Sequence, residues 1–170
     1  MNAPAVWVIK ASLKSKWKYH WKKYFADDAD PYWWGEECIS STLCKKLLRN
    51  DVAAGDIAVC YQIDDPKVGR VIWALAQFKA VEREAGGEDF ALDHHSKAFL
   101  LDLPLHIDEL RETGCDPGCF KPGPVGRGTV GPIKDSEFKG IIDAIVAYSS
   151  ADETKLKRWL SQVGWNVNDM

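Results

Sequence analysis

Four stretches of the chain have the apolar pattern of buried β-strands. Residues 5–10 read Ala-Val-Trp-Val-Ile-Lys, and β-branched and aromatic residues of this kind favour extended structure. Similar runs occupy residues 57–63, 70–81 and 99–103, and turn-forming residues separate them. The pattern therefore predicts several short strands joined by tight connections.

Other stretches carry apolar residues at helical spacing. Trp17, Trp21 and Tyr24 recur in this way within residues 15–25, with lysines between them. A short helix is predicted from a cap at Ser40, Ser41 or Thr42 through Leu48, and a short helical turn at residues 107–111. A longer helix is predicted at residues 137–148 after a Ser136 cap, and a last one around Leu156, Trp159 and Leu160.

This order of elements predicts an α+β fold. Short strands at even spacing with helices between them favour a mixed sheet curled into a β-barrel of about five to six strands, flanked by short helices. Residues 1–150 are expected to form this domain. Residues 151–170 are expected to form a C-terminal helical tail, which either covers the barrel or docks a partner.

Charge is distributed unevenly along the 170 residues. The net charge of −3 argues against a protein that binds nucleic acid with its whole surface. Residues 10–23, however, contain six lysines and no acid, whereas residues 82–93 are mainly acidic. The sequence also has eight tryptophans, more than the core of a small barrel needs. One basic, aromatic face is therefore expected.

The chain has the features of an intracellular protein. No apolar run approaches the roughly 20 residues that span a bilayer, and the first residues lack a signal-peptide pattern. The cysteines are odd in number and scattered, which favours reduced thiols over a disulfide framework: Cys38, Cys44, Cys60, Cys115 and Cys119. We expect a cytoplasmic location and no membrane partner.

No motif predicts catalysis. The nucleophile elbow, the phosphate loop, the zinc-protease helix and the zinc-deaminase signature are all missing from the sequence. Cys115 and Cys119 are spaced as Cys-x3-Cys, but no second pair of ligands accompanies them. We therefore expect no enzyme activity, no cofactor and no metal.

Five segments in order resemble the EVE domain, a member of the PUA-like superfamily that includes the YTH domains. They are Trp7-Val8-Ile9-Lys10, Trp33-Trp34-Gly35, Gly55-Asp56 with the strand to Tyr61, residues 71–78, and Gly126-Arg127-Gly128-Thr129-Val130 with the helix that follows. The resemblance covers residues 5–148. Three places differ from the family pattern: Ala11-Ser12 replaces Ser-Glu-Pro, an Arg-Asn pair is missing after Gly35, and Gln62-Ile63 replaces His-Ser.

The resemblance implies a nucleic-acid-binding module that accepts one flipped, modified base between aromatic walls. Modified cytosine in DNA is the preferred ligand. Two alternatives stay open, an RNA reader of the YTH type that recognises methylated adenine and a sensor or enzyme for a nucleoside or other small molecule. A flipped base needs flat apolar surfaces to replace its lost stacking, and a few polar groups at its pairing edge.

The candidate site residues fall into two sets. The base pocket is expected to contain Lys10, Ser12, Trp33, Trp34, Ser40, Ser41, Tyr61, Gln62 and Trp73. The phosphate backbone is expected to contact Lys14, Lys16, Lys18, Lys22, Lys23 and Arg127. Each residue also has a structural interpretation: Trp73 and Tyr61 as core, the serines as helix caps, and the lysines as solvated surface.

Overall fold

The computed structural model describes residues 3–14, 20–26, 52–82, 88–93, 98–120 and 130–169. These residues form six strands: β1 (Val6–Ala11), β2 (Ile57–Asp65), β3 (Gly69–Glu82), β4 (Glu88–Asp93), β5 (Phe99–His106) and β6 (Val130–Ile133). They also form four α-helices: α1 (Trp21–Ala26), α2 (Ile107–Glu112), α3 (Asp135–Tyr148) and α4 (Glu153–Gln162). Two short 3-10 turns lie at Gly118–Phe120 and Val167–Asp169. The predicted α+β class is confirmed.

All six strands belong to one mixed sheet. β1 runs parallel to β2 and antiparallel to β6, and β3 runs antiparallel to β2, β4 and β5. Leu75 of β3 pairs with Val59 and Phe99, and Gln77 pairs with Ile57 and Asp93, so β4 and β5 share the edge of β3 that faces away from β2. No pairing between described strands joins β6 to β4 or β5. The sheet is therefore open, and a closed PUA-like barrel stays a prediction.

Strands β1 and β2 are buried on both faces of the sheet, which explains their apolar runs. Val6 and Val8 enter a larger core cluster with α3, whereas Ile9 and Ala11 enter a smaller cluster on the opposite face with Trp21. A strand buried on both faces reads as continuously apolar instead of alternating. The two faces matter below, because the candidate residues divide between them.

The C-terminal segment covers the larger cluster. Leu156, Trp159, Leu160 and Trp165 are all buried there, and the ring of Trp165 meets that of Phe138 edge-on at 4.8 Å between centroids. Burial of such large side chains contributes on the order of 1.5–3 kcal/mol each. Of the two expectations for the tail, the structure fits the covering role.

One predicted detail is wrong, and one strand was not predicted. The helix expected to follow a Ser136 cap begins at Asp135, and its N-cap is Lys134, whose backbone N–H donates to Glu137 Oε1 at 2.9 Å. β4 lies in the mainly acidic stretch, for which the sequence predicted no element, and pairing with β3 makes it a strand.

Candidate nucleic-acid interface

Several candidate residues meet at one end of the sheet. The carboxyl ends of the parallel strands β1 and β2 lie together, and the antiparallel strand β3 begins beside them. Lys10 pairs with Tyr61 across β1 and β2, while Gln62 pairs with Val71 of β3. We call this region the carboxyl end of the sheet. It is the part of the described chain in which predicted site residues cluster.

Trp73 lies at an interruption of the sheet. Cys60 pairs with Ala74 and Tyr61 with Ile72, so Trp73 has no partner residue on β2. On the other edge Leu100 pairs with Ala74 and Leu105 with Ile72, so Trp73 has no partner residue on β5 either. Bulges re-aim side chains and are frequent beside functional sites.

The indole of Trp73 is half-buried against the smaller core cluster, and its ring has two further neighbours. The His20 ring lies 5.9 Å away at 56°, and the Lys22 ammonium lies 5.3 Å from the indole centroid. The indole Nε1–H is buried and has no hydrogen-bond partner among the described residues. The core tryptophans Trp159 and Trp165 likewise have buried indole N–H groups without a partner among these residues, so this feature alone does not set Trp73 apart.

Gln62 lies on the same face but is committed to the fold. Its side chain is completely buried, its Oε1 accepts from the Trp21 backbone N–H at 3.1 Å, and its Nε2 donates to Asp64 Oδ1 at 3.1 Å. The Trp21 indole donates in turn to the Tyr61 carbonyl at 3.1 Å. Gln62 therefore holds the start of α1 against β2.

Ser12 and Lys14 follow β1 and meet Asp64. The Ser12 hydroxyl donates to Asp64 Oδ2 at 2.7 Å, and the backbone N–H groups of Leu13 and Lys14 donate to the same carboxylate at 2.9 and 3.3 Å. Partial burial acts to raise the pKa of Asp64, but these hydrogen bonds and that from Gln62 outweigh it and lower the pKa. The Lys14 side chain is exposed.

His20 and Asp65 form a second hydrogen-bonded contact between the segment after β1 and strand β2, beside Trp73. His20 Nε2 lies 2.6 Å from Asp65 Oδ2, while His20 Nδ1 accepts from the Lys22 backbone N–H at 3.1 Å. The proton is therefore assigned to Nε2, and the imidazole caps the first turn of α1. Burial acts to raise the pKa of Asp65, but the hydrogen bonds from His20, Lys67 and Val68 leave it lowered.

Lys10 and Tyr61 lie on the opposite face of the sheet from Trp73. Tyr61 is buried in the larger cluster, its ring meets Phe120 edge-on at 4.9 Å, and its hydroxyl accepts from Arg70 Nε at 2.8 Å. Arg70 also donates through Nη2 to the Phe120 carbonyl. Burial lowers the pKa of Lys10, Cys119 acts in the opposite direction, and Arg70 lowers it further. The fold therefore separates Lys10 and Tyr61 from Gln62 and Trp73.

The remaining predicted residues lie outside the described chain. These are Trp33, Trp34, Ser40, Ser41, Lys16, Lys18 and Arg127, together with the side chain of Lys23. Their roles stay predictions.

Four residues at this end were not predicted as part of the site: His20, Asp64, Asp65 and Arg70. The Asp64-Asp65 pair has the appearance of ordinary turn acids in the sequence, and His20 is hidden among lysines. The only signal is that an acidic pair directly follows a buried strand, where a carboxylate can accept from the neighbouring chain.

A polar groove of about 390 Å³ lies elsewhere, between α2 and α3. It is lined by Thr113, Gly114, Cys115, Asp116, Ser136, Glu137, Lys139, Gly140 and Asp143. Burial, with the Glu137 and Asp116 carboxylates, raises the pKa of Cys115 to about 11, and burial raises that of Cys119 to about 12. Both thiols are thus protonated at neutral pH, which disfavours a nucleophilic role.

Two further observations concern the described residues alone. No group of three or more His, Cys, Asp or Glu side chains is arranged to hold a metal ion within these ranges. Among the helices described, none has both the length and the apolar character needed to cross a bilayer.

Comparison with known proteins gives one structural similarity. The crystal structure of protein Atu2648 from Agrobacterium tumefaciens, a structural-genomics target, superposes with a TM-score of 0.48 at 11% identity over 84% of this chain and 92% of that one. No protein-family model matches the chain, and no curated protein matches it. These comparisons assign no family.

Proposed function

We propose that this chain is a nucleic-acid-binding module that takes up one flipped base, a modified one, at the carboxyl end of its sheet. The observation that carries the proposal is Trp73, which is displaced from the strand pairing on both sides and is half-buried with the Lys22 ammonium over its ring. A tryptophan with these two properties offers a base a stacking surface beside a positive charge.

The energetics of base capture favour such a residue. Stacking on an aromatic side chain contributes about 1–3 kcal/mol per base and compensates part of the cost of leaving the duplex. Trp33 and Trp34 remain in the proposal as the opposing wall, and Ser40 and Ser41 as further polar contacts.

The surroundings of Trp73 suit an anionic backbone. Lys22 lies over the indole ring, and the exposed Lys14 follows β1 at the same end of the sheet. Lysines make sequence-independent contacts to phosphates and release counterions. In this proposal Lys14 and Lys22 act with Lys16, Lys18, Lys23 and Arg127 on the backbone, whereas Ser12 and Gln62 act on the fold.

The finer fold belongs to the same proposal. It is a PUA-like barrel of the EVE type, with modified cytosine in DNA as the ligand. Methylated adenine in RNA, or a free nucleoside, would occupy the same aromatic site. The binding experiments below distinguish these ligands from modified DNA.

Paired substitutions of Trp73 test the site. Trp73→Ala removes the stacking surface, and we expect it to weaken binding to a duplex carrying one modified cytosine by about 5- to 150-fold. Trp73→Phe keeps a stacking ring and loses only the indole donor, so its effect should be smaller. Fluorescence anisotropy at fixed salt measures both, with thermal unfolding as the folding control.

The opposite result is equally clear. If folded Trp73→Ala binds the modified duplex as tightly as the parent does, Trp73 is a structural residue and this site assignment is wrong. If RNA or a nucleoside binds the parent more tightly than DNA and responds to Trp73→Ala, the site is right and the ligand is wrong.

A further inference from the structure

The lysine-bearing segment, residues 12–22, is fixed at both of its ends by one short stretch of β2. At its beginning, Ser12, Leu13 and Lys14 all donate to Asp64. At its end, Trp21 binds Gln62 and the carbonyl of Tyr61, and His20 binds Asp65. The chain therefore leaves β1 and returns to α1 at neighbouring residues of the same strand.

These two ties are also linked to each other. Gln62 accepts from the Trp21 N–H with its oxygen and donates to Asp64 with its nitrogen. The donors from residues 12–14 and the donor from Trp21 thus converge on one connected pair of side chains. Connected hydrogen bonds in a buried setting fix geometry more firmly than separate ones.

A carboxylate at this place is unexpected for a surface that meets phosphates. A free carboxylate there would repel the backbone and weaken binding. Asp64, however, receives four donors, from the Ser12 hydroxyl, the Leu13 and Lys14 backbone and the Gln62 amide. The Asp64 charge is therefore stabilised by hydrogen bonds within the protein. These bonds fix the position at which the lysine-bearing segment starts.

We infer that Asp64 is a positioning residue for nucleic-acid binding, acting through Lys14 and the start of the lysine-bearing segment. The inference rests on the proposed function, because it needs the lysines to contact phosphates. Gln62 performs the corresponding task at the end of the segment. Neither Asp64 nor Gln62 contacts the base. Gln62 and Ser12, which the sequence placed in base recognition, position the loop instead.

Asp64→Asn gives the decisive test, because two interpretations of Asp64 predict opposite signs. Asparagine keeps one acceptor oxygen but replaces Oδ2, which receives the Ser12 hydroxyl and the Lys14 N–H. If Asp64 positions the lysines, the variant binds more weakly although it has one negative charge fewer. We expect binding at 0.1 M salt to weaken about five- to eight-fold for each phosphate that the variant no longer neutralises.

The salt dependence separates positioning from a general loss of structure. Each phosphate that is no longer neutralised should reduce the slope of log K against log salt by about 0.7–0.9. Amide exchange at Leu13 and Lys14 in the free protein should become faster in the variant, while exchange in the core of β2 stays slow. Asp143→Asn, which removes an exposed charge on α3, is the matched control and should leave all three measurements unchanged.

The possible outcomes are distinct. Binding by Asp64→Asn that equals or exceeds that of the parent, with an unchanged salt slope, overturns the inference and leaves the proposed function standing. If Asp64→Asn fails to fold, Ser12→Ala removes the hydroxyl that donates to Asp64 and accepts from the Lys14 N–H, and it must shift binding in the same direction, or the inference fails. A parent protein that binds no nucleic acid at all overturns the proposed function and the inference together.

Discussion

The two ends of the β1–β2 pair use the same residue types for different results. At the amino end, Asp56 is 8% exposed and accepts from the Ala5 N–H, the Ala53 N–H and the Trp7 indole at 2.9–3.1 Å. At the carboxyl end, Asp64 also gathers donors, yet Trp73 keeps an unpaired indole N–H. Trp7 and Trp73 are both half-buried and pack against the same smaller cluster.

This difference shows which groups of a fold remain available for binding a ligand. The amino end closes its hydrogen bonds internally, so its tryptophan serves stability. The carboxyl end ties down the lysine-bearing segment but leaves an aromatic donor and exposed ammonium groups uncommitted to the core.

The largest expected effect comes from breaking the amino end. Asp56→Ala leaves two backbone N–H groups and the Trp7 indole without their acceptor. We expect a decrease of about 3 kcal/mol in the free energy of unfolding, measured by urea denaturation, because unsatisfied buried donors cost about 1–3 kcal/mol each. Nucleic-acid binding by the fraction that remains folded should be unchanged. A fully stable Asp56→Ala variant would contradict the structural role of this end.

The matched pair Trp7→Phe and Trp73→Phe sharpens the comparison directly. Trp7→Phe removes the 2.9 Å hydrogen bond to Asp56 and should cost about 1.5 kcal/mol of stability, as removal of a bond to a charged group does. Trp73→Phe removes a donor that has no partner among the described residues, so the stability gained by removing it offsets the lost ring contacts, and we expect its unfolding free energy to stay within about 0.5 kcal/mol of the parent. Equal decreases in the two variants would remove the distinction between the ends.

A smaller effect is expected from the ammonium over Trp73. Lys22→Ala should reduce the slope of log K against log salt by about 0.7–0.9, as expected for one phosphate contact. Lys157→Ala is the control, because Lys157 is likewise a helix lysine, 2.9 Å from Glu153, but lies on α4. Neither substitution should change stability appreciably, since exposed charges contribute little. Identical salt slopes in both variants would place the phosphates elsewhere.

The smallest effect concerns acid. The pKa values of Asp64 and Asp65 lie below the ordinary value of 3.8, so their ionised forms are favoured in the folded protein. Their contribution to stability is therefore complete above that value and is lost as the pH falls below it. We expect unfolding midpoints to decline below pH 4, and to decline less in Asp64→Asn than in the parent. A parent insensitive to this pH range would contradict the hydrogen bonding at the carboxyl end.

Much of the fold could be predicted from local pattern. Apolar runs and helical spacing predict the first strand, the strands Ile57–Asp65 and Gly69–Glu82, and the two C-terminal helices. β4 could not be found in this way, because Glu88–Asp93 is strand only through pairing with β3. The openness of the described sheet is likewise a property of long-range pairing.

Less of the site could be predicted. Lys10 and Tyr61 are near Gln62 in the sequence, but alternation along paired strands places them on the opposite face of the sheet. The bulge that displaces Trp73 depends on the register between three strands, which no local pattern encodes. Ser12 and Gln62 were expected as base contacts because polar groups suit that role, and their bonds to Asp64 and Trp21 appear only in the folded chain.

The most direct test of base recognition is a binding titration of the parent protein at one salt concentration. The ligands are short duplexes of a single sequence carrying unmodified cytosine, 5-methylcytosine, 5-hydroxymethylcytosine or N6-methyladenine. We predict tighter binding to one cytosine modification than to the unmodified duplex, and disappearance of that preference in Trp73→Ala. Equal weak binding to all four duplexes that disappears as salt is raised would show only the lysines at work, and would contradict a base reader at the carboxyl end of the sheet.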